Sequence, residues 1–168
     1  MISPGQLSAA GLWVTSREGP YHVDPLDPGG ATSWGISIRY HKEFTDAQLR
    51  ALTQTDAAAF LVKNYWPDHA EDLPDFLAIP LLSFSVLEGP TQAVMCLQRA
   101  LVVHVDGGIG PQTIHAANLP TQEALLESYF GACMDRLHGR ADWIREGTGW
   151  ERRQFAASLK AQKSTGAP

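Results

Sequence analysis

Several functional classes are excluded by what the 168-residue chain lacks. No apolar run approaches the about 20 residues needed to cross a bilayer, so stable membrane insertion is not expected. The N-terminus has neither the basic start nor the continuous apolar stretch of a secretory signal, and the expectation is a soluble product made in the cytoplasm. Lys and Arg number 13 against 18 Asp and Glu, a formal net charge of −5. The basic residues are scattered rather than clustered, which argues against nucleic acid as a partner.

Cysteine is also scarce. Cys96 and Cys133 each sit among apolar neighbours at helical spacing, the pattern of buried thiols rather than of a disulfide. The six histidines form no His-x-x-x-His pair and there is no Cys-x-x-Cys, so neither a metal site nor a cofactor is expected. A Gly-x-Ser-x-Gly elbow is missing as well. Strand alternation is confined to one early segment, which makes the fold class mainly α with a short β-hairpin or ordered loop after the first helix.

The helical signals are well punctuated. Ser3-Pro4 caps and opens a helix over 4–18 that ends at Glu18-Gly19-Pro20. Residues 19–35 carry a dense set of prolines and glycines, incompatible with helix. Short helices follow over 46–52 and, behind the capping residue Thr53, over 57–66, stopped by Pro67. A helix over 74–87 is expected to bend at Pro80 and to end at Gly89-Pro90, before another over 91–102. Asp106-Gly107-Gly108-Ile109-Gly110-Pro111 reads as a turn into a short helix at 112–117. The longest helical pattern covers 121–144, a last helix covers 150–160, and residues 161–168 read as a flexible tail.

The segment from Glu18 to Gly35 carries most of the chemistry. A glutamate at a helix end can be partly desolvated, and a stiff loop behind it brings Asp24 and Asp27 back towards it. Two carboxyls at different solvation suit glycosidic-bond hydrolysis, one protonated to donate to the leaving oxygen and one ionised. Glu18 is the candidate general acid, against the ordinary alternative of a solvated surface glutamate. Asp27 is either the base or ionised partner or a turn-forming aspartate, and Asp24 is a weaker candidate. Thr32, beside Ser33, either holds a nucleophilic water or makes a local loop hydrogen bond. Tyr21, Trp34, Tyr65 and Trp66 offer ring faces to a sugar, or belong to the core.

These residues resemble glycoside hydrolase family 108, bacterial and phage muramidases that often end in a peptidoglycan-binding module. The resemblance rests on Glu18-Gly19-Pro20-Tyr21, Asp27-Pro28-Gly29-Gly30-Ala31-Thr32, Trp34-Gly35-Ile36, Asp56-Ala57 and Tyr65-Trp66. In the later half it rests on Ala93 with Leu97-Gln98, Asp106-Gly107, Gly110-Pro111-Gln112-Thr113, and Gly149-Trp150 with Arg153. It implies a lysozyme-like helical fold, with a catalytic part over 1–90 and a binding part over 91–160 packed against it as one unit. It also implies cleavage of the bond between N-acetylmuramic acid and N-acetylglucosamine, with Glu18, Asp27 and Thr32 at the reaction. Bacterial peptidoglycan glycan chains are the implied partner, and the Asp106–Thr113 turn either binds them or caps a helix.

Three positions depart from the family pattern. Pro20 replaces a glycine, and Ser83 and Leu87 stand where the family commonly has Asp and Asn, which leaves open a non-enzymatic wall-binding protein on the same fold; a lytic transglycosylase, forming an anhydro product on the same type of scaffold, is the chemical neighbour. The implied site of action is the periplasm or cell wall, reached through a holin during phage lysis or through a secretion system.

Overall fold

The computed structural model describes residues 1–23, 30–140 and 143–165. Its first helix, α1 (Pro4–Glu18), begins where the sequence places it. Ser3 accepts from the Gln6 N–H while the Gln6 side chain returns to the Ser3 backbone, a reciprocal capping box with Pro4 in the first turn. Gly19 ends α1 with φ of 77°, a value any side chain would resist.

Three short strands follow, β1 (His22–Val23), β2 (Ala31–Ser33) and β3 (Ile36–Ser37). They form an antiparallel sheet in the order β1-β2-β3, with Thr32 opposite both His22 and Ser37. Between β2 and β3 the chain reverses in two residues, Trp34 and Gly35, with φ of 52° and 88°. Two successive positive φ values match the twist of a tight hairpin, which asks for glycine or asparagine. Tryptophan there is strained by about 1–2 kcal/mol.

Helices α2 (Asp46–Ala51) and α3 (Gln54–Tyr65) are capped by Thr45 and Thr53. α3 starts three residues before the expected 57, because Thr53 itself is the cap and accepts from the Asp56 N–H. The expected helix over 74–87 is divided. Single 3-10 turns at Ala70–Asp72 and Asp75–Leu77 precede α4 (Ala78–Glu88). Pro80 is the third residue of α4, in the first turn, where a backbone N–H would have no intrahelical acceptor and its absence costs no helix hydrogen bond, so Pro80 does not interrupt the helix interior as expected.

α5 (Pro90–Ala100) and α6 (Pro111–Ala117) both open on proline. The long pattern over 121–144 is not one helix: α7 (Gln122–His138) stops at Gly139, and α8 (Trp143–Thr165) turns back across the molecule. α8 therefore extends beyond the expected 150–160 at both ends and takes in part of the expected tail. Residues 166–168 lie outside the described residues.

α4 is the centre of the bundle. Ala78, Pro80, Leu81, Leu82, Ser83, Phe84 and Ser85 are all buried, leaving almost no polar face. It packs against α1, α3, α5 and α8. Fully buried Leu61, Leu97, Leu125 and Leu126 add to the surrounding core, each worth about 1.5–3 kcal/mol relative to exposure. Cys96 and Cys133 are buried free thiols in this core. At the end of α4 the Glu88 side chain is 1% exposed and is met by Arg136 at 3.0 Å and by Arg140. A carboxylate so enclosed is tolerable only when paired. Arg140 in turn lies 4.6 Å over the ring of Trp150 on α8.

The tightest helix contact joins α1 to α3. A Cβ on Gly11 would stand 2.9 Å from the Ala58 carbonyl oxygen and 3.0 Å from Val62 Cγ2. Gly11→Val is expected to cost about 2–3 kcal/mol through overpacking, read as a lowered midpoint in urea denaturation. An unchanged midpoint would show that α1 and α3 can separate freely.

Candidate active site

Glu18 is the last residue of α1, so its side chain leaves the helix just where Gly19 turns the backbone. The hairpin turn is fixed against that end: the Trp34 N–H donates to the Gly19 carbonyl at 2.8 Å. Gly35 then lies directly on the Glu18 side chain. A Cβ at Gly35 would be 2.8 Å from Glu18 Cγ and 3.4 Å from its Cδ, so only glycine lets the turn approach this closely. The strained Trp34 is held by its indole N–H, which donates to the Leu52 carbonyl at 3.0 Å.

The other side of Glu18 is closed by α8. Arg153 Nη1 donates to Glu18 Oε1 in an ion pair spanning 135 positions of sequence. The two side chains are 15% and 21% exposed. Arg153 Nη2 is 3.3 Å from the Ser83 carbonyl oxygen, and the adjacent Gln154 donates to Ser83 Oγ at 3.2 Å. Ser83, one of the departures from the family pattern, is thus a fully buried anchor for α8. Pro20 is exposed, and the left-handed backbone value falls on Gly19 before it.

The remaining expected site residues divide by location. Thr32 is half-buried in the middle of β2, between the buried Ala31 and Ser33, so strand alternation points it away from the core. Ser33 Oγ is enclosed and has no hydrogen-bond partner among the described residues. Asp24 and Asp27 lie outside the described residues. Tyr21 reaches α2, where its hydroxyl meets Asp46 at 2.5 Å beneath the Arg50 guanidinium, 4.0 Å from the ring centre. That hydrogen bond raises the Tyr21 pKa and lowers that of Asp46.

Tyr65 and Trp66 are directed elsewhere. The Tyr65 hydroxyl is 2.8 Å from His41 Nε2, and burial raises its pKa. Trp66 lines a cavity of about 670 Å³ with Lys63, His69 and the Asp106–Gly110 loop. Its indole nitrogen is enclosed and has no hydrogen-bond partner among the described residues. Another cavity, of about 680 Å³, lies between α5 and α7. Glu18 lines neither of these cavities. Its claim as the chemical centre rests on its shielded carboxyl and charged partner, which cavity size does not measure.

The Asp106 turn is built around the buried Gln98. The Gln98 amide donates to Asp106 Oδ1 at 2.7 Å and to the Gly108 carbonyl at 2.8 Å, and accepts from the Asp106 and Gly107 N–H groups. These contacts lower the Asp106 pKa, the Gln98 hydrogen bond most of all. α6 has no side-chain cap, so the helix-capping alternative for Asp106 is corrected: its carboxylate is used inside the loop.

The sequence matches Glycosyl hydrolase 108 over residues 12–89 and a Predicted Peptidoglycan domain over residues 92–166. Among solved structures, that of Brucella abortus SagA is similar at 30% identity and a TM-score of 0.82, over 96% of each chain. No curated protein matches. The fold is mainly α and lysozyme-like, with a small antiparallel sheet beside the first helix. The chain belongs to glycoside hydrolase family 108, and a peptidoglycan-binding region follows its hydrolase region.

Arg153 and Gly35 are contacts of Glu18 that sequence reasoning did not assign. Both stood inside recognised motifs, yet no spacing rule links residue 153 to residue 18. Gly35→Ala is expected to reduce clearing of purified sacculi by roughly 100-fold through displacement of Glu18. Gly30→Ala, also at positive φ but meeting only Ile38 at 3.3 Å, should keep most of the clearing. Equal losses in the two variants would assign the effect to backbone strain alone.

Proposed function

We propose that the protein is an N-acetylmuramidase that cleaves the bond between N-acetylmuramic acid and N-acetylglucosamine in peptidoglycan, with Glu18 as the general acid. The observation that carries this reading is the placement of the Glu18 carboxyl, some four-fifths shielded from water between Gly35 and Arg153. A carboxyl so enclosed, at a helix end and against a rigid turn, keeps one orientation towards a bound glycan. It donates a proton to the glycosidic oxygen as the bond to the muramic acid carbon breaks. Asp27, or a water held near Thr32, supplies the second half of the reaction.

The family and the peptidoglycan-binding match support glycan chains of the wall as the substrate. On this reading Trp34, next to Gly35 in the hairpin turn, is the aromatic residue offered to a sugar ring. Action in the periplasm or wall, after passage by a holin or a secretion system, fits host lysis or local opening of the wall for other cargo.

The deciding measurement is clearing of purified sacculi by wild type and by Glu18→Gln. The variant keeps the size of the side chain and loses its transferable proton, so clearing should fall by at least roughly 100-fold. Reducing ends in the released sugars, identified by mass spectrometry, would establish hydrolysis, and anhydro ends a transglycosylase. Undiminished clearing by Glu18→Gln would remove this assignment. Binding to sacculi with no clearing by either protein would make the protein a wall-binding module.

A further inference from the structure

We infer that Arg153 is a positioning residue for the hydrolytic reaction: it selects which oxygen of Glu18 carries the transferred proton and neutralises the carboxylate that the transfer leaves behind. This inference rests on the reading of Glu18 as general acid and deepens it.

Arg153 Nη1 donates to Oε1 of Glu18. Among the described residues no hydrogen bond reaches Oε2. A guanidinium carries only donors and does not release a proton under protein conditions. Oε1 therefore cannot hold a proton in the direction of Arg153 without breaking the contact, whereas Oε2 can hold one freely. The proton is thus assigned to Oε2, and the Oε1 contact persists whether the carboxyl is neutral or charged. With Gly35 packed against Cγ and Cδ as well, the carboxyl plane has little freedom to turn.

The charge balance follows from the same geometry. As the O–H bond at Oε2 breaks, its electron pair remains on Glu18, and the proton bonds to the glycosidic oxygen. The glycosidic C–O bond breaks, and its electron pair stays with that leaving oxygen. One negative charge appears on the Glu18 carboxylate, already in contact with a guanidinium. A donor whose interaction strengthens as charge develops lowers the barrier without tightening substrate binding.

Docking of α8 does not by itself explain Arg153. Gln154, the next residue, already ties the helix to Ser83 through a buried hydrogen bond. Arg153 also carries an enclosed Nε with no partner among the described residues, a cost that docking alone would not return. Glu18 lies in the region matched to the hydrolase family and Arg153 in the region matched to the peptidoglycan domain. The second region consequently completes the chemical site of the first.

The test measures initial rates on solubilised glycan strands for the full chain and its variants, together with thermal melts. Arg153→Met should lose roughly 10- to 100-fold in kcat with KM within about twofold of wild type. Arg153→Lys should fall between the two, because it restores the charge but not the fork that also reaches Ser83. Gln154→Ala should lower the melting temperature and leave kcat near wild type. Unchanged kcat in Arg153→Met, or an equal kcat loss in Gln154→Ala, overturns the inference. If Arg153→Met does not fold, Arg153→Lys decides: a kcat reduced several-fold at unchanged KM supports the inference, and wild-type kcat or a change confined to KM overturns it. Wild-type turnover by Glu18→Gln overturns the general-acid reading itself, separately from any effect at Arg153.

Discussion

An arginine from the last helix grips the carboxylate at the end of the first, and the arrangement of the candidate site depends on that contact. Glu18 stands at the point where α1 ends, a place where side chains are commonly solvated. Here Arg153 and the backbone of Gly35 enclose it instead. The burial of the guanidinium and of the carboxyl it meets is balanced by their hydrogen bond, which becomes fully ionic once the proton has left, and by the Ser83 carbonyl behind the guanidinium. Exposure of only 15% and 21% makes this a different object from a surface ion pair, in which water screens the charges and side-chain entropy cancels most of the gain.

That contact needs α4 as its support. α4 is apolar around nearly its whole circumference because α1 approaches from one side and α5 and α8 from others. Two of the polar groups it carries tie it to later helices. Ser83 receives Arg153 and Gln154, and Glu88 receives Arg136 and Arg140. Each joins the central helix to the chain's C-terminal region. α8 is thus held at two levels, by hydrogen bonds near Glu18 and by the stack of Trp150 on Arg140. The two matched regions share packed surfaces, and one supplies a charged group to the other.

The hairpin turn contributes strain of a useful kind. Trp34 adopts a backbone conformation that tryptophan disfavours, held by its indole hydrogen bond to Leu52 and by its N–H bond to Gly19. The benefit is position: Gly35 comes against Glu18. Strain held at a turn beside a candidate catalytic group is a common form of preorganisation. Tyr21 extends the ordered region by linking the segment after α1 to α2.

Local chemistry made much of this protein readable. Ser3-Pro4, Thr53 and Gly89-Pro90 mark helix ends because a cap or a proline acts within three or four residues of itself. For the same reason Glu18 could be located at a helix terminus ahead of a rigid loop, and the family resemblance could be recognised from short motifs. The division of the expected 121–144 helix at Gly139 was harder to see, since its apolar period continues beyond the break, and only packing on α4 makes α8 turn back. Tyr65 and Trp66, adjacent in sequence to no other site residue, resemble sugar-binding residues in type alone. The fold directs one to His41 and the other to the Asp106–Gly110 loop. What the sequence determined alone was where helices start and stop and which carboxyl stands at the end of the first. That Arg153 meets this carboxyl was decided by tertiary structure, because no periodicity connects residues 135 positions apart until a common core brings their helices together.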